Sequence, residues 1–286
     1  MYKWLISFVI AVILLTGCLP STVKVSNETS EVTFTLVNKA DLSSQEMADY
    51  KKEVEEAFHT ITNLLHTDYT PAKEIEITFY AESGPSYGDV DKITLYQDHG
   101  SYHIYHELTH SLLGHGKVID GEFGGSSGFF TQEGFAMYVE DQYTDMKVIP
   151  GYDISFHQMV RQCIALERNL PLKRLTDNYL SFEYFRSYTD SNEESLLQML
   201  SYLHAGSFIT YLIDQYGMKT FEKVYNTPNL QLAVKEVYGK DIIQLEEEWL
   251  QYIIQTENEL SLEERRELPG YHHLEKTIMN ISDRYF

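Results

Sequence analysis

Two histidines and a glutamate at helical spacing form the strongest chemical signal in the chain, in the segment His106-Glu107-Leu108-Thr109-His110. Residues four apart on a helix share one face with their Cβ atoms about 6 Å apart, so both imidazoles can reach a single ion. Zinc accepts imidazole nitrogens at about 2.0–2.1 Å. Glu107 then lies beside the open coordination position, where a general base for a zinc-bound water must stand.

A third ligand is expected on the next predicted helix. Glu133 lies on that helix, and two histidines with one carboxylate leave a fourth position for water, which is typical of catalytic rather than structural zinc. Ala136 is small and lets this helix approach the first one closely. Glu140 falls on the same face as Glu133, where it could orient a ligand. The alternative is that Glu133 and Glu140 are ordinary solvated helix charges.

These two segments resemble the motifs of the gluzincin metallopeptidases, particularly the aminopeptidase-N-like enzymes. They also resemble the smaller bacterial peptidase-MA-like proteins. The resemblance covers about residues 93–225. It implies a zinc ion held by His106, His110 and Glu133, with Glu107 as general base and proton shuttle.

A further segment, residues 201–208, resembles the region where these families place a tyrosine against the developing oxyanion. Tyr202 precedes Gly206 by four positions here, and His204 is an alternative donor. A donor aimed at that oxygen would stabilise the tetrahedral intermediate. Because the chain contains 22 tyrosines, plain core packing is the alternative interpretation of Tyr202.

Departures from the family pattern bear on the reaction. Residues 111–132 separate His110 from Glu133, and a glycine-rich loop fills that interval. Gln132 replaces the usual Asn, and no Gly-Ala-Met-Glu-Asn segment precedes His106 to hold a free amine. We therefore expect zinc-dependent endopeptidase cleavage of peptides or proteins. The alternatives are a non-catalytic zinc-binding module and hydrolysis of a bond other than a peptide bond.

Other chemically active side chains receive lesser roles. Three histidines flank the site and are expected at the surface or, at best, lining the substrate cleft: His99, His103 and His115. His157 is expected to be structural. Cys163 lies in an apolar helical stretch, and we expect a buried small hydrophobe rather than a nucleophile.

The elements that position the site follow from the apolar periodicity. Alternation predicts strands at 31–37, 74–80 and 92–96. In the peptidases that the chain resembles, an edge strand at the position of the last of these pairs with the substrate backbone, so the resemblance implies the same role here. A helix capped by Ser43 or Ser44 follows the first strand. The further predicted helices are 101–113, 129–143, 155–168, 193–216, 219–225, 230–238 and 241–255.

This order of elements predicts an α+β fold, and with the resemblance it implies a zincin-like domain over residues 31–286. Its sheet lobe is expected at about 31–114 and its mostly helical lobe at about 129–286. The glycine-rich loop between the lobes, residues 114–128, is interpreted as a lid or as one wall of the substrate cleft.

The amino terminus predicts export and anchoring. Residues 5–15 are almost wholly apolar after Lys3, too few to span a bilayer, and Leu15-Thr16-Gly17-Cys18 resembles the bacterial lipobox. We expect a lipoprotein signal peptide at 1–17, acylation of Cys18 and a flexible tether at 18–30. The predicted location is the extracytoplasmic face of a bacterial membrane.

Charge excludes one class of partner. The 286-residue chain has 22 basic and 43 acidic residues and a formal net charge of −21. Nucleic-acid binding proteins need a positive surface to neutralise phosphates, so no nucleic-acid partner is expected. The expected partners are a peptide or protein substrate and, through the lipid, the membrane.

Overall fold

A mixed five-stranded sheet is formed by the amino-terminal part of the chain. The computed structural model describes residues 21–27, 30–66, 69–113, 127–145, 154–186, 191–268 and 270–286. The strands are Ser21–Ser26 (β1), Glu31–Asn38 (β2), Glu74–Tyr80 (β3), Tyr87–Gly88 (β4) and Lys92–Tyr96 (β5). Their order across the sheet is β1-β2-β3-β5-β4. The three central strands are parallel, and both outer strands run antiparallel to their neighbours.

The parallel strands are joined by a long crossover helix, Ser44–Leu64 (α1). Ser43 caps it as predicted: its hydroxyl accepts the N–H of Glu46, whose carboxylate accepts the N–H of Ser43 at 2.7 Å. The helix buries one apolar stripe against the sheet, and Phe58 meets Phe34 of β2 edge to face. This β–α–β unit places the carboxyl ends of the strands on one side of the domain.

The remaining helices follow the sheet. They are Ile104–Leu113 (α2), Ser127–Tyr143 (α3), Phe156–Ala165 (α4), Leu172–Leu175 (α5), Ser181–Phe185 (α6), Asn192–Tyr216 (α7), Met218–Phe221 (α8), Leu230–Tyr238 (α9), Ile242–Thr256 (α10), Leu262–Glu267 (α11) and Tyr271–Met279 (α12), with a 3-10 turn at Asp283–Tyr285. The predicted mixed α+β class is therefore confirmed.

The central helix is α7, which packs along α3, α4, α6 and α8. Its length and hydropathy would suit a membrane span, but 67% of its apolar window is buried inside the protein. Trp249 of α10 is fully buried and donates its ring N–H to Ser207 of α7 at 3.1 Å. We therefore describe α7 as the core helix of the helical half.

Two predictions about strands are corrected. The segment expected to be a flexible tether contains β1, because Val23 and Val25 alternate inward and pair with Phe34 and Val32 of β2. The strand expected at an edge, β5, is instead flanked on its outer side by β4.

Three helices are shorter than predicted. The helix expected at 101–113 begins at Ile104, after the turn at Asp98–Ser101, and the one expected at 219–225 ends at Phe221. The helix expected at 155–168 ends at Ala165, because Glu167 turns the backbone to a φ of 57°. The signal peptide, Cys18 and most of the glycine-rich loop, residues 114–126, lie outside the described residues.

Candidate metal centre

Helix α2 is fixed to the sheet at its start by a buried tyrosine. Tyr102 follows β5 after a tight turn in which Asp98 and Ser101 exchange backbone hydrogen bonds. Its hydroxyl donates to the carbonyl of Tyr80 at the end of β3, 3.1 Å away, and its ring packs edge-on against Phe79. The segment that leads into α2 is thereby tied to the central strand β3.

The helix itself is enclosed: all ten of its residues are buried, with Leu108 and Leu112 in the core. The hydroxyl of Ser111 donates to the carbonyl of Val90 at 3.1 Å. Strand β4 approaches so closely that a Cβ added to Gly88 would lie 2.2 Å from the carbonyl oxygen of Glu107. Sheet and helix are thus in direct backbone contact beside Glu107.

Helix α3 is held from two other directions. The backbone N–H of Asn226 donates to the Thr131 hydroxyl at 2.9 Å, and the amide of Gln132 donates to the side-chain oxygen of Asn226 at 2.7 Å. Gly134 packs against α7, where an added Cβ would lie 2.9 Å from the backbone of Ala205. These contacts set the rotation of α3 that turns Glu133 toward α2.

The three predicted ligands converge. Nε2 of His106 and Nε2 of His110 lie 3.2 Å apart, and Oε2 of Glu133 lies 3.3 Å and 3.2 Å from them respectively. All three residues are buried, and their donor atoms are close enough to one another to hold a single metal ion.

Electrostatic interactions within this group shift the pKa values of His106 and Glu133. Burial would lower the pKa of His106, but its bond to Glu133 and the charges of Glu107 and Glu140 outweigh burial and raise the pKa to about 9. Burial would raise the pKa of Glu133, yet the adjacent His110 and His106 hold it well below its usual range. Negative charge at Glu133 is therefore favoured, as a ligand carboxylate requires.

A cavity of about 380 Å³ opens beside these ligands. His106 and Glu107 form part of its wall, together with Tyr202 of α7 and residues 83–86 next to β4. Burial raises the pKa of Glu107, and the positive charge of His106 and His110 opposes that rise. The cavity thus brings a carboxylate and a phenol beside the candidate metal ligands.

The structure separates the two predicted oxyanion donors. Tyr202 lines the cavity. Burial and the charges of Glu133 and Glu107 raise its pKa well above the usual range of a phenol, so the hydroxyl stays protonated. His204 is fully buried elsewhere. Its Nδ1 donates to the carbonyl of Leu200 at 2.7 Å and its Nε2 accepts the N–H of Leu170 at 3.1 Å. The prediction that His204 is an alternative donor is therefore wrong.

Glu140 orients His103 and not one of the predicted metal ligands. Both of its carboxylate oxygens accept from Nδ1 of His103, at 2.9 Å and 3.0 Å, and Asp98 lies 3.3 Å from the other ring nitrogen. Burial would lower the pKa of His103, but Glu140 and Asp98 outweigh it and raise the pKa. His103 lines the cavity, as do Asp98 and Glu140. Sequence reasoning undervalued His103, although its position one turn before His106 was visible.

The other side chains considered in the sequence lie away from the candidate metal centre or outside the described residues. Cys163 is a buried free thiol whose pKa burial raises to about 12, so its predicted inert role agrees with the structure. His157 is buried and its Nδ1 is 2.7 Å from the Ser207 hydroxyl, consistent with a structural role. His99 is exposed, and His115 lies outside the described residues.

Comparison with known proteins adds no relative. No protein-family model matches the chain, and no curated protein is significantly similar to it. The case for function therefore rests on the arrangement of this site.

Proposed function

We propose that the protein is a zinc-dependent peptidase that acts mainly as an endopeptidase. One observation carries the proposal: His106, His110 and Glu133 bring three donor atoms within 3.3 Å of one another. Glu107 lies beside them in the wall of the same cavity. A structural zinc site would instead be closed by a fourth protein ligand.

The spacing of the three donors fits zinc. Ligand atoms bound tetrahedrally at about 2.0–2.1 Å lie about 3.3 Å from one another. The observed separations are 3.2–3.3 Å. Two imidazoles and one carboxylate are also the donor set of catalytic zinc in peptidases.

Zinc bound here would supply a Lewis acid and lower the pKa of a bound water. Glu107 accepts the proton of the attacking water and passes it to the leaving amine nitrogen, because its carboxylate lies in the cavity next to the ligands. Tyr202, held protonated, donates to the oxygen of the carbonyl under attack. Glu140 holds His103 in the cavity wall, where the imidazole can meet the substrate.

The arrangement supports a zincin-like assignment of the gluzincin type suggested by the two motifs. A strand leads into the helix that carries His106 and His110, and the next helix in the described part of the chain carries Glu133. Helices α2 and α3 pack against each other. Folds of this kind place the ligands on two rigid elements, which is how a site holds its geometry.

The charges in the cavity argue against carboxypeptidase action. Among the described residues that line it, the charged groups are acidic or histidine, with no lysine or arginine to bind a terminal carboxylate. The edge strand beside the cavity is β4 and not β5, and the preceding residues 83–86 line the cavity. We expect the substrate backbone to pair along this edge. An extended segment inside a chain would fit such an edge.

We further propose that the protein is anchored by a lipid on Cys18 to the outer face of a bacterial membrane. Strand β1 begins at Ser21, so an anchored Cys18 would hold that sheet edge within about 10 Å of the lipid. The candidate metal centre lies beside β4 at the opposite edge, about four strand spacings or 19 Å away. Exported peptides or proteins near the membrane are therefore the expected substrates.

The test is hydrolysis of a quenched fluorescent peptide library by zinc-loaded protein, with and without a chelator. The Glu107→Gln variant should keep its metal and lose about 10²–10⁴-fold in kcat, because general acid–base catalysis contributes about that much. Full activity in Glu107→Gln would refute the mechanism. Bound zinc with no cleavage of any peptide would favour the alternative of a non-catalytic zinc-binding module.

A further inference from the structure

A second cavity, of about 810 Å³, lies between the amino-terminal half of α7 and α12. Its apolar wall is formed by Leu196, Met199, Leu274 and Ile281. Glu193 and His273 supply polar groups beside that wall. The volume falls within the 300–1,000 Å³ range of ordinary ligand pockets.

This cavity adjoins the one at the candidate metal centre. Ser195 and Met199 line both cavities, while Tyr202, farther along α7, lines the metal cavity. Seven residues of helix separate Tyr202 from Ser195, which corresponds to about 10 Å. A molecule lying along this face of α7 would therefore extend from the metal cavity toward the second one.

The walls of the second cavity are held rigidly. Glu193 accepts the backbone N–H of Ser282 at 2.8 Å, which ties the start of α7 to the segment after α12. Farther along, the Tyr184 hydroxyl donates to the carbonyl of Tyr285 at 2.9 Å. The Arg168 guanidinium pairs with Asp283 at 2.6 Å. A preformed cavity loses little conformational entropy when it is filled.

We propose that the α7–α12 cavity is a remote subsite that holds apolar side chains of an extended peptide bound at the metal centre. The inference rests on the proposed peptidase function and names its substrate class. An extended chain advances about 3.3 Å per residue, so the subsite begins about three residues from the scissile bond. Asn192, at the far end of the wall, lies about 15 Å from Tyr202 along the helix, or about five residues.

Length dependence tests this subsite. Two peptide series would be extended from two to eight residues on either the amino or the carboxyl side of one scissile bond, with Leu or Phe at the added positions. We expect kcat/KM to rise about 10-fold or more in one series once four or five residues are present, since one buried apolar side chain is worth at least that factor.

Matched variants of α12 locate the effect. Thr277 lines the cavity, whereas Lys276 is exposed and does not. Thr277→Trp should reduce the ratio of kcat/KM for long and short peptides to about 1, and Lys276→Trp should preserve it. Asn280→Trp, at an exposed position of the same wall, repeats the test should Thr277→Trp fail to fold, as judged by circular dichroism.

Binding provides a readout independent of turnover. In the Glu107→Gln background, anisotropy of a labelled long peptide should show about 10-fold weaker binding with Thr277→Trp and no change with Lys276→Trp. Cleavage that is independent of length in both series, with binding unaffected by Thr277→Trp and Asn280→Trp, would overturn the subsite and leave the peptidase proposal intact. Failure to cleave any peptide would instead count against the peptidase proposal, while the anisotropy result would still decide the subsite.

Discussion

Replacing Gly88 with alanine should damage catalysis more than stability. The new Cβ would lie 2.2 Å from the carbonyl oxygen of Glu107, and real Cβ contacts are almost never shorter than 3.0 Å. Strand β4 and helix α2 must therefore separate locally by about 0.8 Å. Backbone strain does not contribute, because Gly88 is not among the described glycines with positive φ.

The structure gives the size of both effects. Overpacking of a tight core contact costs about 1–3 kcal/mol of unfolding free energy. A displacement of about 1 Å in a catalytic group can lower the rate about 10²-fold. Since Glu107 is the residue pushed, we expect kcat/KM for a peptide to fall about 100-fold with zinc still bound.

The matched control is Gly239→Ala. Gly239 ends α9 at a φ of 70° with no atom within 4 Å of an added Cβ, so alanine there costs about 1–2 kcal/mol by backbone strain alone. Urea denaturation would measure the stability of both variants, and peptide hydrolysis their rates. If Gly88→Ala lost no more activity than Gly239→Ala, the β4 contact would not position Glu107.

Two further predictions concern Tyr202 and the buried histidines. Tyr202→Phe should lower kcat about 10²–10³-fold with little change in KM, because it removes the proposed oxyanion donor but keeps the ring stacked on Phe185. Steady-state kinetics would show this, and an unchanged kcat would exclude the role. Burial lowers the pKa of His157 and of His204 to about 4, against 6.5 when unfolded. As pH falls from 6.5 to 4, these two histidines become protonated in the unfolded chain but stay neutral in the folded one. The unfolding free energy should therefore fall by about 3 kcal/mol for each histidine over that pH range. Urea denaturation between pH 7.5 and 4.5 should show this decrease in unfolding free energy. An equally large decrease in His157→Gln would refute the contribution assigned to His157.

The metal site could be predicted from the sequence because its ligands lie on regular elements. Helical spacing places His106 and His110 on one face whatever the position of the helix in the fold. Glu133 reaches them if its own helix packs beside the first. The same geometry could have separated the two oxyanion candidates. Residues two apart on a helix point about 200° apart, so Tyr202 and His204 cannot both face one cavity.

The features that were missed depend on contacts distant in sequence. Strand β1 alternates Val23 and Val25, but its serine and threonine neighbours suggested a tether. Strand β4 has two residues and exists only by pairing with β5. Helix α12 contains the polar pair His272-His273 in its first turn, and its role as a cavity wall arises from packing against α7. No local pattern contains that information.

Zinc binding to purified apoprotein tests the central claim most directly. Titration against a competing chelator should give one zinc ion per chain in the wild type. Loss of an outer-sphere partner typically weakens metal sites 10–100-fold, so removing a ligand in Glu133→Ala should weaken binding by more than about 100-fold. A wild-type chain that binds no stoichiometric zinc, or a Glu133→Ala variant that binds it equally well, would contradict the proposed centre.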